Sequence, residues 1–587
     1  MKQQRRTIGL SALAFTLLIP TAIPQAALAQ SATVVAAPVN YELTSEMRAA
    51  IKNVAVLPTE KGSRLSATVR LFNGGSAKQR VPEHELRVRT SSGSEYTLKP
   101  SASNKPALES KEIGELVYMA EIDSKEIGTV TELSFVYVDI YTYPKTEKRL
   151  LTMPATNVWY GTSAAAPQKP ETMAWGQSFK IPGVNSELTY QPIDWSVQHT
   201  AEGRAAVVKL LVDNPGVGRE TVPAFRVDGQ SDIKIFEGKR AEADATSLEA
   251  GEKKYIHFAI PLDNNTSLSN LLVVVTDSFL PGAEAQAAIP LDTGKLAISL
   301  PQPGQLPATE AYTIGRPIVI DSLTKAIDSQ TEVALMELTM HENPGEGFKS
   351  AVAKFKLTNK SSEPVTTPAF QAALVNSEGV TYQGARQSAV VQTMNPGLSY
   401  VVSYSFVMPQ TEDGSAIQLK LLEPLKPSGA EPTQPGTQQP GTQPAAPYTT
   451  TIASVYTQFQ EAEKGTKKYS LYPFELTIRD VAAVTTYMNN LYTYKVTLDM
   501  DIEQKENVVV DENFSKLRLE IVDNGGRVVG YKDVAFTGEN KLISGKQTVD
   551  ASNITTDQFN YPYTINIYET IETQNGTAKR LLMSSTK

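Results

Sequence analysis

The sequence predicts an all-β chain, a tandem array of four β-sandwich domains after a signal peptide. Three observations carry this reading. Apolar and polar residues alternate with a period of two along most long segments, which is the signature of half-buried strands. Helical periodicity is almost absent. The stretch KFKLTNKSSEPVTTPAF (Lys354 to Phe370) also recurs in similar form as VRLFNGGSAKQRVPEHEL (Val69 to Leu86) and KLLVDNPGVGRETVPAF (Lys209 to Phe225).

Residues 1–29 read as a secretory signal: a basic start, MKQQRR, then a short apolar run, then Ala27-Leu28-Ala29 before Gln30. Pro20 and Pro24 would interrupt a spanning helix, and the run is short for one. Arg5-Arg6 faintly resembles a twin-arginine signal, but nothing later in the chain suggests a cofactor loaded before export, so ordinary secretion is the reading. No later segment is long and apolar enough for a membrane helix. The chain has no cysteine, which removes disulfides and lipid attachment through Cys and leaves stability to core size. An exported chain without Cys fits Gram-positive secretion. The C-terminal AKRLLMSSTK carries no sorting motif with an apolar tail, so covalent wall attachment is not expected. Loss of Lys2, Arg5 and Arg6 would take the formal charge from −8 to −11. An acidic chain without a basic block is poorly suited to phosphate backbones, so nucleic acid is excluded as a partner.

The repeat is set by the last inward position of one long strand per copy: Leu71, Val212, Leu357 and Leu498, with intervals of 141, 145 and 141 residues. That period is too long for a solenoid and suits a whole domain. In the third copy Ala351, Ala353, Phe355 and Leu357 form the inward set, while Val352, Lys354, Lys356 and Thr358 are expected to lie mostly in water. The first copy alternates Ala67, Val69 and Leu71 with Thr68 and Arg70; the fourth alternates Tyr492, Tyr494, Val496 and Leu498 with Thr493, Lys495 and Thr497. Asn73, Asn214 and Asn359 follow the strand, each nine residues before Pro82, Pro223 or Pro368. Asn suits a strand end because it tolerates left-handed backbone and bonds its own turn; Pro suits the first residue of the next strand because it cannot donate to a ladder. The fourth copy has Met500 and Val509 there and is the divergent member.

Turn signals follow at Ser92-Gly93, Glu378-Gly379 and Asn524-Gly525-Gly526, with Asp228-Gly229 shifted earlier in the second copy, and later at Ala250-Gly251, Pro396-Gly397 and Ser544-Gly545. Each copy closes on an alternating strand: LSFVYVDI, LLVVVTD, IQLKLLE or YTINIYE. The first and fourth add KRLLTM and KRLLMS. Seven or so short strands per copy indicate a two-sheet sandwich of immunoglobulin type. The pattern of strand, polar crossover, Pro368-Ala369-Phe370, turn, Tyr382, Pro396-Gly397 and SYVVSYSF resembles the telokin-like, immunoglobulin-type domains of Gram-positive secreted and surface proteins. The resemblance is strongest over residues 350 to 423, and it implies a secreted interaction or stress-associated module rather than an activity. The expected boundaries are 39–157, 171–299 and 311–426 for three immunoglobulin-like sandwiches, 427–447 for a Pro/Gly/Thr/Gln-rich linker, and 448–587 for a divergent fourth. The linker, poor in apolar residues, reads as an extended spacer of ~3.1 Å per residue that holds the fourth domain away from the others.

Little in the sequence points to chemistry. His84, His199, His257 and His341 are scattered singly, never at metal-ligand spacing, and His257 in YIHF reads as a strand histidine. Ser322 and Lys325 match a Ser-x-x-Lys pattern at chance-level spacing, without its Lys-Thr-Gly companion. Asp499, Asp501 and Glu503 could offer oxygens to calcium, but no Gly-turned loop with a distal Glu follows. The fourth copy is rich in tyrosine: Tyr469, Tyr472, Tyr487, Tyr492, Tyr494, Tyr531, Tyr561, Tyr563 and Tyr568. Exposed, these would stack on sugars or anchor an interface; on the inward phase they are core. Trp159, Trp175 and Trp195 cluster around the first-to-second connection, where they read as pins between domains. The chain therefore reads as a secreted or cell-surface, non-catalytic interaction or spacer protein, with no catalytic, metal or cofactor-binding residues assigned, no cofactor, ligand-binding residues unknown, and a cell-envelope or extracellular protein or glycan as partner. The alternative is a carbohydrate-binding protein using aromatics of the fourth domain.

Overall fold

The computed structural model describes residues 39–161, 166–167, 169–200, 203–242, 245–282, 284–285, 287–301, 311–343, 347–425, 448–460, 467–510, 513–556 and 561–587. Every regular element among them is a strand, so the all-β class holds. Four large apolar cores succeed one another along the chain, each enclosed by sheet on opposite sides, as in β-sandwich layering. The residues around each core form one unit. The expected signal peptide, residues 1–29, lies outside the described residues.

The third unit shows the arrangement. One sheet runs Thr331–Glu342, Phe348–Asn359, Ser399–Pro409, Ala385–Arg386 in spatial order; the other runs Thr381–Gln383, Gln371–Val375, Ile417–Leu425, Tyr448–Thr457. The central strand Phe348–Asn359 turns Ala351, Ala353, Phe355 and Leu357 into the core. Phe355 meets Phe370 and Tyr404 edge-on at 5.5 and 5.6 Å between ring centroids, and the Tyr404 hydroxyl donates to the Phe370 carbonyl. The first unit fills the same place with His84, which accepts or donates at 2.7 Å to the Tyr118 hydroxyl and lies 4.5 Å from the Phe135 ring.

The repeated asparagines do more than end a strand. Each is fully buried, and its amide ties three segments together. Asn359 Nδ2 donates to Glu363 O at 2.8 Å and Met394 O at 2.9 Å, while its Oδ1 accepts from Ser361 N. Asn73 and Asn214 repeat the pattern on Ala77, Leu108 and Glu109, and on Gly218, Leu248 and Glu249. None of the three takes positive φ; that conformation falls on the residue whose N–H bonds the Asn carbonyl, namely Lys111, Gly251 or Gly397, at φ 63°, 75° and 71°. The asparagine is therefore a buried hub, where its sequence context suggested a turn residue. The polar crossover after it adds a two-residue ladder in each of the first three units, as in Val365–Thr366 against Thr393–Met394.

A second repeat was not apparent in the sequence. The strand before each central strand carries a β-bulge, at Lys52, Ile193, Met336 and Arg479. A bulge shifts the side-chain phase and re-aims its neighbours. It turns Asn53, Glu337 and Asp480 toward the outer face of their sheets.

Three expectations are corrected. Tyr448–Thr457 pairs along its whole length with Ile417–Leu425, so it closes the third unit rather than opening a fourth at 448, and the third unit does not end at 426. The Pro/Gly-rich segment, outside the described residues, thus joins two neighbouring strands of one sheet and cannot space units apart; Leu425 lies opposite Tyr448 at its two ends. The first unit likewise runs past 157, because Val158 and Tyr160 belong to its core.

The asparagine hub sets a test. Asn359→Ala leaves buried carbonyls unpaired, each worth about 1–3 kcal/mol, so urea unfolding should show a loss of roughly 3 kcal/mol. Lys111→Gly relieves a left-handed lysine and should instead raise stability by about 0.5–1 kcal/mol.

Candidate functional site

The strongest concentration of buried charge lies where units meet, not in a cleft. The outer face of the central-strand sheet in one unit packs against the next unit, and the same central-strand position serves each time. Thr68, Lys209 and Lys354 stand three residues before the repeat markers, and all three are buried. The outward set therefore does not face water in these units: Val352, Lys354 and Thr358 are buried too.

Between the first and second units, the Asp277 carboxylate accepts from Thr68 Oγ1 at 2.6 Å, Asn53 Nδ2 at 2.5 Å and Lys52 Nζ at 2.8 Å. Burial opposes its charge, but Lys52 and these donors outweigh it and hold the carboxyl below its ordinary range. Lys295 donates to Lys52 O and Asn53 Oδ1; burial lowers its pKa to about 8. Trp159 packs with Ala55 against Leu272 and Val274, and Val117 and Met119 pack against Phe279 and Leu291. Trp159 is thus a pin, while Trp175 and Trp195 lie on the second core. Between the second and third units, Lys209 Nζ meets Asp321 at 3.0 Å and Thr451 O at 3.0 Å. His257, which also bonds Glu242, contacts Thr450 at 3.1 Å.

The junction of third and fourth units is a buried quartet of two acids and two bases. Lys354 Nζ lies 2.6 Å from Glu569 and 3.5 Å from Glu337; Arg580 Nη1 lies 2.7 Å from Glu337 and 3.3 Å from Glu569. Ser470 Oγ and Tyr472 N complete the bonds to Glu337. Burial works against the Glu569 charge, yet Lys354 and Arg580 keep its carboxyl below the usual range. His341 is close by, and burial together with Arg580 and Lys354 drives its pKa down to about 3. The fourth unit is therefore locked onto the third, not held away from it.

The residues flagged in the sequence do not converge. The four histidines sit apart, and no group of metal-ligating residues occurs among the described residues. Burial lowers the pKa of His84. Arg479 pairs with Asp499 at 2.8 Å and with Asp501, and Glu503 pairs with Lys505, so the carboxylates considered for calcium are met by cations. Ser322 and Lys325 are exposed on a loop. Of the fourth-unit tyrosines, Tyr472, Tyr494 and Tyr563 are buried, Tyr469, Tyr492 and Tyr568 are half-buried, and Tyr487, Tyr531 and Tyr561 are exposed. The guanidinium of Arg518 covers the Tyr531 ring at 3.9 Å. The most exposed aromatics were not flagged: Tyr141 and Tyr143, at the tip of the hairpin joining Val130–Asp139 to Thr146–Pro154. Their signal was available in DIYTYPK, where apolar residues continue past the strand end with nothing to alternate against.

These sites hold units in register; they do not place a nucleophile, a base and a cleft together. No protein-family model matches the chain, and no curated protein matches it in sequence.

Removing one partner of a buried pair strands the others. Lys354→Met should cost about 3–5 kcal/mol in urea unfolding. The pH dependence has a definite sign. His341 is protonated below about 6.5 when unfolded but only near about 3 when folded, so the folded state binds fewer protons and stability falls as pH drops through that window. Glu569 and Asp277, held low, add to the loss. A His341→Gln variant should lose less stability than the parent on acidification, measured by denaturant midpoints at a series of pH values.

Proposed function

We propose that this chain is a secreted, non-catalytic protein of four tandem immunoglobulin-type sandwiches, related in kind to the telokin-like modules of Gram-positive surface proteins. It acts at the cell surface or in the extracellular space as an interaction and spacer module. The observation that carries this reading is the set of three buried junctions. A spacer must resist bending between its ends, and sheet-on-sheet contacts with paired buried charges restrain each unit against its neighbour. The exposed Ile140, Tyr141 and Tyr143 give the first unit an aromatic hairpin of the kind that anchors protein interfaces.

Carbohydrate binding is the second reading, supported by Tyr487 and Tyr561, which are exposed in the fourth unit. Fractionation of producing cells separates the cases from a cytoplasmic protein: the chain should be found in the medium or on washed envelopes without residues 1–29, and a cytosolic chain with its N-terminus intact would refute the proposal. Retention of the full chain on purified cell wall that drops at least tenfold in Tyr487→Ala/Tyr561→Ala, but not in Tyr141→Ala/Tyr143→Ala, would favour the glycan reading instead.

A further inference from the structure

The three junctions share one buried central-strand position, two of them set it against the closing-strand acid of the next unit, and the chain carries both halves of a further such contact that no described residue fills. On the giving side, the central-strand position is Thr68, Lys209, Lys354 and Lys495. The first three are buried against the next unit, at 2%, 4% and 0% exposure; Lys495 is exposed, with Asp550 opposite it in the ladder. The bulge neighbour follows suit, with Asn53 and Glu337 buried but Asp480 exposed. Next to them, Ala482 and Val484 occupy the places that Ala55 and Leu57 use to pack against Leu272 and Val274. Val484 is exposed.

On the receiving side, the closing strands LSFVYVDI, LLVVVTD, IQLKLLE and YTINIYE align Asp139 with Asp277, Glu423 and Glu569. Asp277 and Glu569 each dock on the preceding unit's central-strand position. The middle junction draws its carboxylate from Asp321 instead, while Glu423 bonds Thr324. Two residues beyond the acid stand Tyr141, Phe279, Leu425 and Ile571. Phe279 and Ile571 are 3% and 2% exposed, Leu425 is 9%, and Tyr141 is 94%. The Asp139 carboxylate accepts one bond from its own turn, Tyr141 N at 2.9 Å, and forms no ion pair among the described residues. On the sheet behind it, Arg87 pairs with Glu85, Glu95 and Glu147.

We propose that these halves meet between two copies of the chain, the Lys495 and Val484 face of one fourth unit receiving the Asp139–Tyr141 hairpin end of another copy's first unit. Opposite charges face each other, apolar groups flank them on both sides, and the contact continues an arrangement the chain already uses at two of its three junctions. The contact is heterologous, with different surfaces on the two copies, so it propagates head to tail instead of closing as a two-fold dimer. This inference stands on the junction geometry and does not depend on the extracellular role proposed above.

Sedimentation velocity of the purified chain in about 0.15 M salt, where repulsion between acidic chains is screened beyond ~8 Å, tests it. The weight-average mass should rise with concentration to at least twice that of one chain. Lys495→Glu and Asp139→Lys should each remain single chains, with circular dichroism unchanged and only small shifts in thermal midpoint, because both side chains lie outside the cores. An equimolar mixture of the two variants should regain the association, since each reversed charge then faces a complementary one. Tyr141→Ser should weaken it at least tenfold. A parent chain that stays single up to its solubility limit would overturn the proposal, and so would association that survives either charge reversal or is not restored by mixing.

Discussion

A β-strand presents two faces, and in three of the four central strands of this protein both are buried. The inner face meets its own core by the usual alternation of apolar side chains. The outer face meets the following unit, so the side chains that would elsewhere be solvated must find partners or lose their hydration uncompensated. Most of the polar architecture follows from that constraint. The bulge in the preceding strand re-aims Asn53 or Glu337 outward, and the closing strand of the next unit supplies Asp277 or Glu569.

Charge neutrality then decides which residues are tolerated. The quartet of Glu337, Lys354, Glu569 and Arg580 contains two charges of each sign. Buried pairs of this kind contribute little net stability over an apolar alternative, because desolvation offsets most of the attraction. Their geometry is demanding, however. A neighbour that approaches in another orientation leaves charges unpaired, so the quartet selects one docking over many. The apolar clusters around Trp159 and Phe279 supply attraction without that selectivity.

The strands and cores were legible in the sequence because inward alternation depends on local order alone. Ala351, Ala353, Phe355 and Leu357 are buried as the pattern implies. The intermediate set was misjudged for the same reason. Lys354 among apolar neighbours looks like a solvated lysine, since no local rule reveals a carboxylate 215 residues away. The proline-rich segment was misplaced because composition indicates an open stretch of chain but not where its ends are held. The asparagines were recognised as markers, but their role as hubs depends on carbonyls some 35 residues later. The exposure of Tyr141 and Tyr143 is signalled only by the apolar run past the strand end in DIYTYPK, because alternation says nothing about side chains beyond the end of a ladder.

The pairing of Leu425 with Tyr448 has a further consequence for how this chain can vary. The ends of the intervening segment are fixed side by side in one sheet, and closing a longer loop between fixed ends costs only about 0.6 kcal/mol per doubling of length. Insertions there leave the register of every unit as it was. The segment is thus a natural place for the polypeptide to accept foreign sequence, growing or shrinking over generations while the scaffold on either side keeps its form.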